Sequence, residues 1–203
     1  MKKKSMVHMN ANQFCAIDIS TSDPDPLIGD VFQISIVPLD AALNFFTIPF
    51  STLVKPDGVL FDSKDNVHQF KLAHVSGLEQ EMVWDLFDKW FASLKLREGK
   101  QLVPLCWNWT YIKPFLVKLF GDYNFNVFFS EEIRDLYTIT NFFNDRADVH
   151  ALDIPFPKRE ALTNVINRLE IEIDGETRDP LYRCKLLAEA YKEFCLDKTA
   201  VIL

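Results

Sequence analysis

Glycine is scarce in this chain, 6 of 203 residues, and no window approaches the roughly 18 consecutive apolar residues of a membrane-spanning helix. The first shortage excludes collagen-like structure, and the second excludes a helical membrane span within this sequence. Cysteine is limited to Cys15, Cys106, Cys184 and Cys195, with no C-x-x-C or C-x-x-H spacing. The sequence therefore signals no zinc site, redox pair or disulfide scaffold, and buried reduced thiols are expected. Basic residues are in the minority too: 22 Lys and Arg face 29 Asp and Glu, for a formal charge of -7. A protein that coats nucleic acid by charge alone needs clustered cations, so that class is excluded while a local basic site is not.

What is present is an ordinary apolar fraction, 48%, and an aromatic content weighted towards 18 Phe, most of which should be core. The length suits one compact domain. Met1-Lys2-Lys3-Lys4 has the charge of a signal-peptide start, but Ser5 to Gln13 contains His8, Asn10 and Asn12 where an apolar run is required. The expectation is a flexible tail over residues 1–12, a single domain over 13–203 and a cytoplasmic location.

Phe14 to Ile19 is a short apolar, β-branched run ending at a Pro-rich turn, Asp23-Pro24-Asp25-Pro26, and predicts a buried strand. Val31 to Leu39 and Phe45 to Val54 continue it as a three-stranded meander. The period then changes: between Leu78 and Leu96, Val83, Leu86, Phe87, Trp90, Phe91 and Leu94 recur at helical spacing. Gln101 to Trp107 predicts a fourth strand, followed by a helix from about Ile112 to Phe120, with Pro114 in its first turn and Gly121 closing it. A fifth short strand over Arg134 to Tyr137 runs into a helix through Phe143. Asn144 to Phe156 reads as loop, and helices are expected over Lys158 to Leu169 and from Pro180 to Phe194. Alternation of this kind predicts an α/β layered sheet with antiparallel and parallel parts.

Ala16-Ile17-Asp18-Ile19-Ser20-Thr21-Ser22, followed by Val31-Phe32-Gln33-Ile34, resembles the first motif of the DEDDh 3′-to-5′ exonucleases, D-x-E-T/S before a strand containing Q-I. Ala73 to Met82 is similar to their H-x-I-T-x-x-M stretch, and Trp107 to Leu116 to H-N-x-x-F-D-x-x-F-L. Arg178-Asp179-Pro180-Leu181-Tyr182-Arg183 is similar to H-D-A-L-x-D. The resemblance spans roughly residues 13–195 and implies a ribonuclease H-like fold with a five-stranded mixed sheet. In that family four carboxylates hold two Mg²⁺ or Mn²⁺ ions and a His is the general base. Carried over one by one, only Asp18 is kept. Ser20 stands at the Glu position, Ile112 and Arg183 at the second and third Asp positions, and Arg178 at the His position.

Four clustered carboxylates need metal to hold them together, whereas Asp18 facing Arg183 is balanced without any. The expectation is a degenerate exonuclease in which Arg183 enters the former metal space and pairs with Asp18, with no metal or other cofactor. It would bind single-stranded nucleic acid or a protein partner without cleavage. Two further readings stand beside it: an active divergent exonuclease using Mg²⁺ or Mn²⁺ on Asp18 with displaced acids such as Asp179 or Asp23, and a scaffold or homodimer whose cleft is filled. Candidate nucleic-acid contacts are Thr21, Trp107, Asn108, Trp109, Arg178, Arg183 and Lys185. The cations are suited to phosphate at the start of a helix; the alternative is a helix-end charge pair with Asp179 or Glu176. Trp107 and Trp109, read as alternate residues of a strand, share a side, where they could stack on bases or pack as cleft wall. Trp84 and Trp90 lie off a common stripe, so at least one is expected at a domain edge or partner. His74 falls at a position that the resemblance assigns to loop structure. Phe125, Phe128 and Phe129 are core or a self-association surface.

Overall fold

The computed structural model describes residues 12–60, 66–151, 153, 155–156 and 161–195. Its elements are β1 (Gln13–Thr21), β2 (Val31–Pro38), β3 (Phe50–Leu53), α1 (Val67–Ser76), α2 (Gln80–Ser93), β4 (Leu102–Cys106), α3 (Trp109–Phe120), α4 (Asp122–Phe128), β5 (Arg134–Asp135), α5 (Leu136–Val149), α6 (Leu162–Arg168) and α7 (Pro180–Cys195). The strands form one sheet in the order β3-β2-β1-β4-β5. β1 to β3 make the expected antiparallel meander, and β4 and β5 add parallel strands on the other side of β1.

β1 is central and covered on both faces, which is why its sequence reads as a nearly unbroken apolar run. Alternation divides it. Cys15, Ile17 and Ile19 meet Val83 and Phe87 of α2, Phe115 and Leu116 of α3, and Phe125 and Phe128 of α4. Phe14 and Ala16 face the opposite way, against Leu136, Leu162, Ile166 and the Cys184, Leu187 and Ala188 stripe of α7. Most of the phenylalanines in the first layer are stacked or edge-on to one another, each buried ring worth about 1.5–3 kcal/mol. Phe125, Phe128 and Phe129 belong to this core rather than to a surface. Trp84 packs on Phe120 and Phe128, and Trp90 packs on Phe50 while its indole N–H donates to the Ile48 carbonyl at 2.9 Å. Neither indole needs a partner to account for it.

Several expectations are corrected. β3 starts at Phe50, because Phe45 reaches only an isolated bridge with Leu39. α3 starts at Trp109, so Pro114 lies inside the helix and not in its first turn. Gly121 closes it as expected: its N–H reaches the Val117 carbonyl at 2.8 Å with φ at +79°, a conformation that favours glycine. α1 and α4 were not legible as helices, and α5 runs on past Phe143 to Val149. Its Asn144, a loop residue by composition, is buried and accepts the Phe156 N–H at 2.9 Å. Of the expected tail, residues 1–11 lie outside the described residues, while Asn12 is buried and accepts the Gln101 N–H at 3.1 Å. Residues 158–160 of the helix expected over Lys158 to Leu169 also lie outside them. Cys15, Cys106 and Cys184 are free and buried, and burial pushes their thiols well above the ordinary range, so they behave as small apolar groups. Cys195 is exposed. No described helix is long and apolar enough to cross a membrane.

Candidate functional site

β1 and β4 run parallel, so both end at the same edge of the sheet, where α/β folds commonly open a crevice. Asp18 and Ser20 alternate with Ile17 and Ile19, which puts them on the face that α7 covers. The register of β1 on β2 shifts between Ser20 and Thr21, a bulge of the kind that re-aims side chains near sites. Thr21 then meets Tyr111 of α3, hydroxyl to hydroxyl.

α7 opens with Pro180, whose missing N–H suits a first helical position. The Asp179 carboxylate before it accepts the Leu181 N–H and the Gln33 side-chain amide, each at 3.1 Å. One turn further, Arg183 turns back towards β1. Its Nε donates to the Asp18 carboxylate, and its Nη2 to the Ile19 carbonyl at 2.9 Å and the Ser20 hydroxyl at 3.3 Å. Its Nη1 donates to the carbonyls of Arg178 at 2.9 Å and Thr177 at 3.3 Å. A guanidinium carries five N–H donors, and these five acceptors surround it. The side chains of Asp18 and Arg183 are only 11% and 21% exposed. Burial pushes the Asp18 carboxyl above its ordinary value, and the guanidinium pulls against that.

In front of this pair lies a cavity of about 340 Å³, lined by Asp18, Ile19, Trp107, Asn108, Tyr111, Ile112, Ala161, Leu162, Thr163, Thr177 and Arg183. Asp135 shapes its rim. One carboxylate oxygen accepts the N–H groups of Asn108 at 2.8 Å and Tyr137 at 3.1 Å, and the other accepts the Thr138 hydroxyl at 3.0 Å. Asn108 is thereby held in a left-handed conformation with φ at 64°.

Of the residues singled out in the sequence, Asp18, Ile112, Arg183, Trp107 and Asn108 line the cavity, Ser20 joins the Arg183 network through its hydroxyl, and Thr21 touches the cavity wall through Tyr111. The rest are placed elsewhere. β4 stops at Cys106 and the chain turns at Asn108, so Trp107 and Trp109 do not share a side. Trp107 stands edge-on to Tyr137, 5.6 Å away, and Trp109 packs on Phe125, 6.0 Å away, in the aromatic layer. Lys185 binds Asp174 at 3.1 Å and lies over the Tyr182 ring, and it lines a different cavity. Arg178 is exposed and contributes its carbonyl to Arg183. His74 is exposed and stands edge-on to Phe70. Tyr111, Thr177, Asp135 and the Ala161–Thr163 segment were not singled out. Tyr111 had a signal, a hydroxyl added at the motif's Phe position, but the other residues carry none.

The donor set does not fit the two divalent cations that the resemblance implies. Hard cations need several oxygen ligands. Here one carboxylate is engaged by a guanidinium, Ile112 offers no ligand, and Asp179 and Asp23 are held in local hydrogen bonds, the latter with the Asp25 N–H at 2.8 Å. Among the described residues, no three His, Cys, Asp or Glu side chains converge as a metal site would require.

No protein-family model and no curated protein sequence matches the chain. Solved structures do. The cell-death related nuclease CRN-4 superposes with a TM-score of 0.65 at 18% identity, covering 92% of this chain and 64% of that one. The nuclease domain of 3′hExo, a DEDDh family member solved with bound rAMP, gives 0.65 at 14% identity and covers 92% and 93%. E. coli exonuclease I in complex with a dA16 oligonucleotide gives 0.69 at 13% identity and covers 94% and 42%. The chain thus spans under two thirds of the first and about two fifths of the last. At these identities the likeness is one of fold, and the chain has the ribonuclease H-like α/β fold of the DEDDh 3′-to-5′ exonucleases.

Proposed function

We propose that this protein binds the end of a single-stranded nucleic acid in the cleft between β1, α3 and α7 and does not cleave it. The observation that carries the reading is Arg183, seated with five protein acceptors where hydrolysis of this type requires cations bound by carboxylates. A structural neighbour solved with a mononucleotide and another solved with an oligonucleotide support a nucleic-acid ligand. The cavity beside Trp107 and Tyr111 supports binding over a filled, purely scaffolding cleft.

End-labelled single-stranded DNA and RNA, incubated with Mg²⁺, with Mn²⁺ and with chelator, test this directly. The expected outcome is retention of full-length strand bound to protein in all three conditions. Metal-dependent shortening that is lost in Asp18→Ala overturns the reading in favour of an active nuclease. Absence of binding in every condition overturns it in favour of a protein-interaction role.

A further inference from the structure

Two loops leave the sheet at the edge where the cleft opens. β1 and β3 run in the same direction, each antiparallel to β2 between them, so the β1–β2 loop (residues 22–30) and the segment after β3 (residues 55–60) both emerge there. Three large apolar side chains on them stand in solvent: Leu27 is 86% exposed, Ile28 67% and Val59 85%. The two loops touch, since a Cβ on Gly58 would lie 3.7 Å from the Ile28 carbonyl and 3.3 Å from the Asp30 carboxylate. Single exposed apolar residues are ordinary, whereas a group of them on adjoining loops marks a contact surface.

Neither loop is slack. The Asp23 carboxylate accepts the Asp25 N–H at 2.8 Å and the Asp25 carboxylate accepts the Leu27 N–H at 2.9 Å, two successive side-chain turns that set the path of the tip. The Gly29 N–H closes it on the Asp25 carbonyl at 2.7 Å, and Ser22 accepts the Asp30 N–H at 2.8 Å across its base. Asp30 then joins the loops: one carboxylate oxygen accepts the Gly58 N–H at 2.9 Å and the Asp57 N–H at 3.2 Å, while the other meets Lys118 at 2.9 Å. Apolar side chains presented on a scaffold held this way lose little freedom when covered, which lowers the cost of docking.

The charge around the tip is of one sign. Asp25 and Asp57 are exposed, whereas the nearby Lys55 and Lys118 are engaged by Glu79 and Asp30. Such a rim repels phosphate chains and anionic lipid headgroups. A two-fold contact between copies of this chain would set the rim against itself, like charge on like charge. An apolar centre with an acidic border is complementary to an apolar hollow bordered by cations.

We infer that Leu27, Ile28 and Val59 form a docking tip for a protein partner whose contact surface is an apolar hollow bordered by lysine or arginine. The tip stands at the cleft's edge of the sheet without lining the cavity, so docking there is independent of strand-end binding.

The test is selection of random short peptides displayed on phage, run in parallel against the whole chain and against the variant Leu27→Ser/Ile28→Ser. The parent is expected to enrich peptides that combine Leu, Phe or Trp with Lys or Arg. The variant, whose melting temperature should be unchanged because both side chains lie in solvent, is expected to enrich none of them. The best peptide, synthesised and titrated by fluorescence anisotropy, should bind the variant at least about tenfold more weakly than the parent. Asp25→Asn/Asp57→Asn removes charge but keeps the acceptor for the Leu27 N–H, and should weaken the peptide about threefold, as should raising salt from about 50 to about 200 mM. Oligonucleotide binding should be the same in the parent and in Leu27→Ser/Ile28→Ser. No enrichment on the parent, enrichment of acidic peptides, or a peptide that binds parent and variant equally overturns the inference. Loss of the oligonucleotide in Leu27→Ser/Ile28→Ser overturns it as well, by giving the tip to the strand. So does binding of phosphatidylcholine–phosphatidylserine vesicles by the parent and not by the variant. None of these outcomes counts against the strand-end reading, which stands or falls on the labelled-strand assay above.

Discussion

On one face of the sheet Phe87 lies against the rings of Phe50, Trp84, Trp90, Phe120, Phe128 and Phe129, whereas on the other the buried side chains beneath α7 are, apart from Phe14, aliphatic or thiol and end at the Asp18–Arg183 network. The aromatic layer is held by area and shape, which are non-directional and shared among many contacts. The network at the rim of the other layer is held by hydrogen bonds to specific carbonyl and carboxylate oxygens, which fix direction as well as distance. Stability is thus concentrated in the first layer and site geometry in the second.

Phe87→Ala should have the largest effect, about 3–5 kcal/mol measured by urea unfolding, because the ring is fully buried and its neighbours can collapse only in part. Affinity for a single-stranded oligonucleotide, measured where the variant remains folded, should not change. A parallel loss of affinity would mean that the two layers act as one and would break the comparison. Arg183→Met should come next, at about 3 kcal/mol, since it leaves the Asp18 carboxylate buried without its cation. Adding Asp18→Asn to that variant should restore more than half of the loss, and strictly additive costs in the double-mutant cycle would remove the pair from the account of the rim.

The smallest effect is expected outside both layers, at Lys118 and Asp30, whose charged atoms lie 2.9 Å apart. Burial raises the Asp30 carboxyl, but the Lys118 ammonium and the Gly58 and Asp57 N–H groups outweigh it and hold it below its ordinary value. A carboxyl lowered in the folded state adds stability above its unfolded pKa of about 3.9 and loses that contribution as pH falls through the lower folded value. Lys118→Ala should therefore cost under about 1 kcal/mol at neutral pH, given that the lysine side chain is 42% exposed. Its acid-unfolding midpoint, followed by circular dichroism, should move to higher pH. A midpoint unchanged from the parent would show that the backbone N–H groups alone hold Asp30.

β1, β2 and β4 were legible because each is a largely apolar run closed by turn residues, and β1 and β4 in particular are central enough to be apolar on both faces. The helices that escaped notice lack a stripe. In α1 only Phe70 and Ala73 are buried, while Leu72 and Val75 face solvent, so its apolar residues do not line up. In α4 Asn124 and Asn126 interrupt the phenylalanines, and the helix is held by tertiary packing of Phe125 and Phe128 rather than by propensity. The resemblance located Asp18, Ile112 and Arg183 at one site, and their pairing followed from charge alone. The carbonyls of Ile19, Thr177 and Arg178 around the guanidinium could not be read, because backbone acceptors leave no mark in side-chain sequence. For the same reason the role of Asp135 was invisible: it acts on an amide N–H that every residue but proline possesses.

The Asp18–Arg183 contact joins residues 165 positions apart in the chain. During synthesis β1 to β3 can pair as soon as they emerge, because the meander is local, but the cleft has no floor until α7 has been made and docked. Nascent chains should therefore be blind to the ligand for most of their translation. Any ligand-dependent gain in folding yield would act only on the final docking step, after the sheet has already formed.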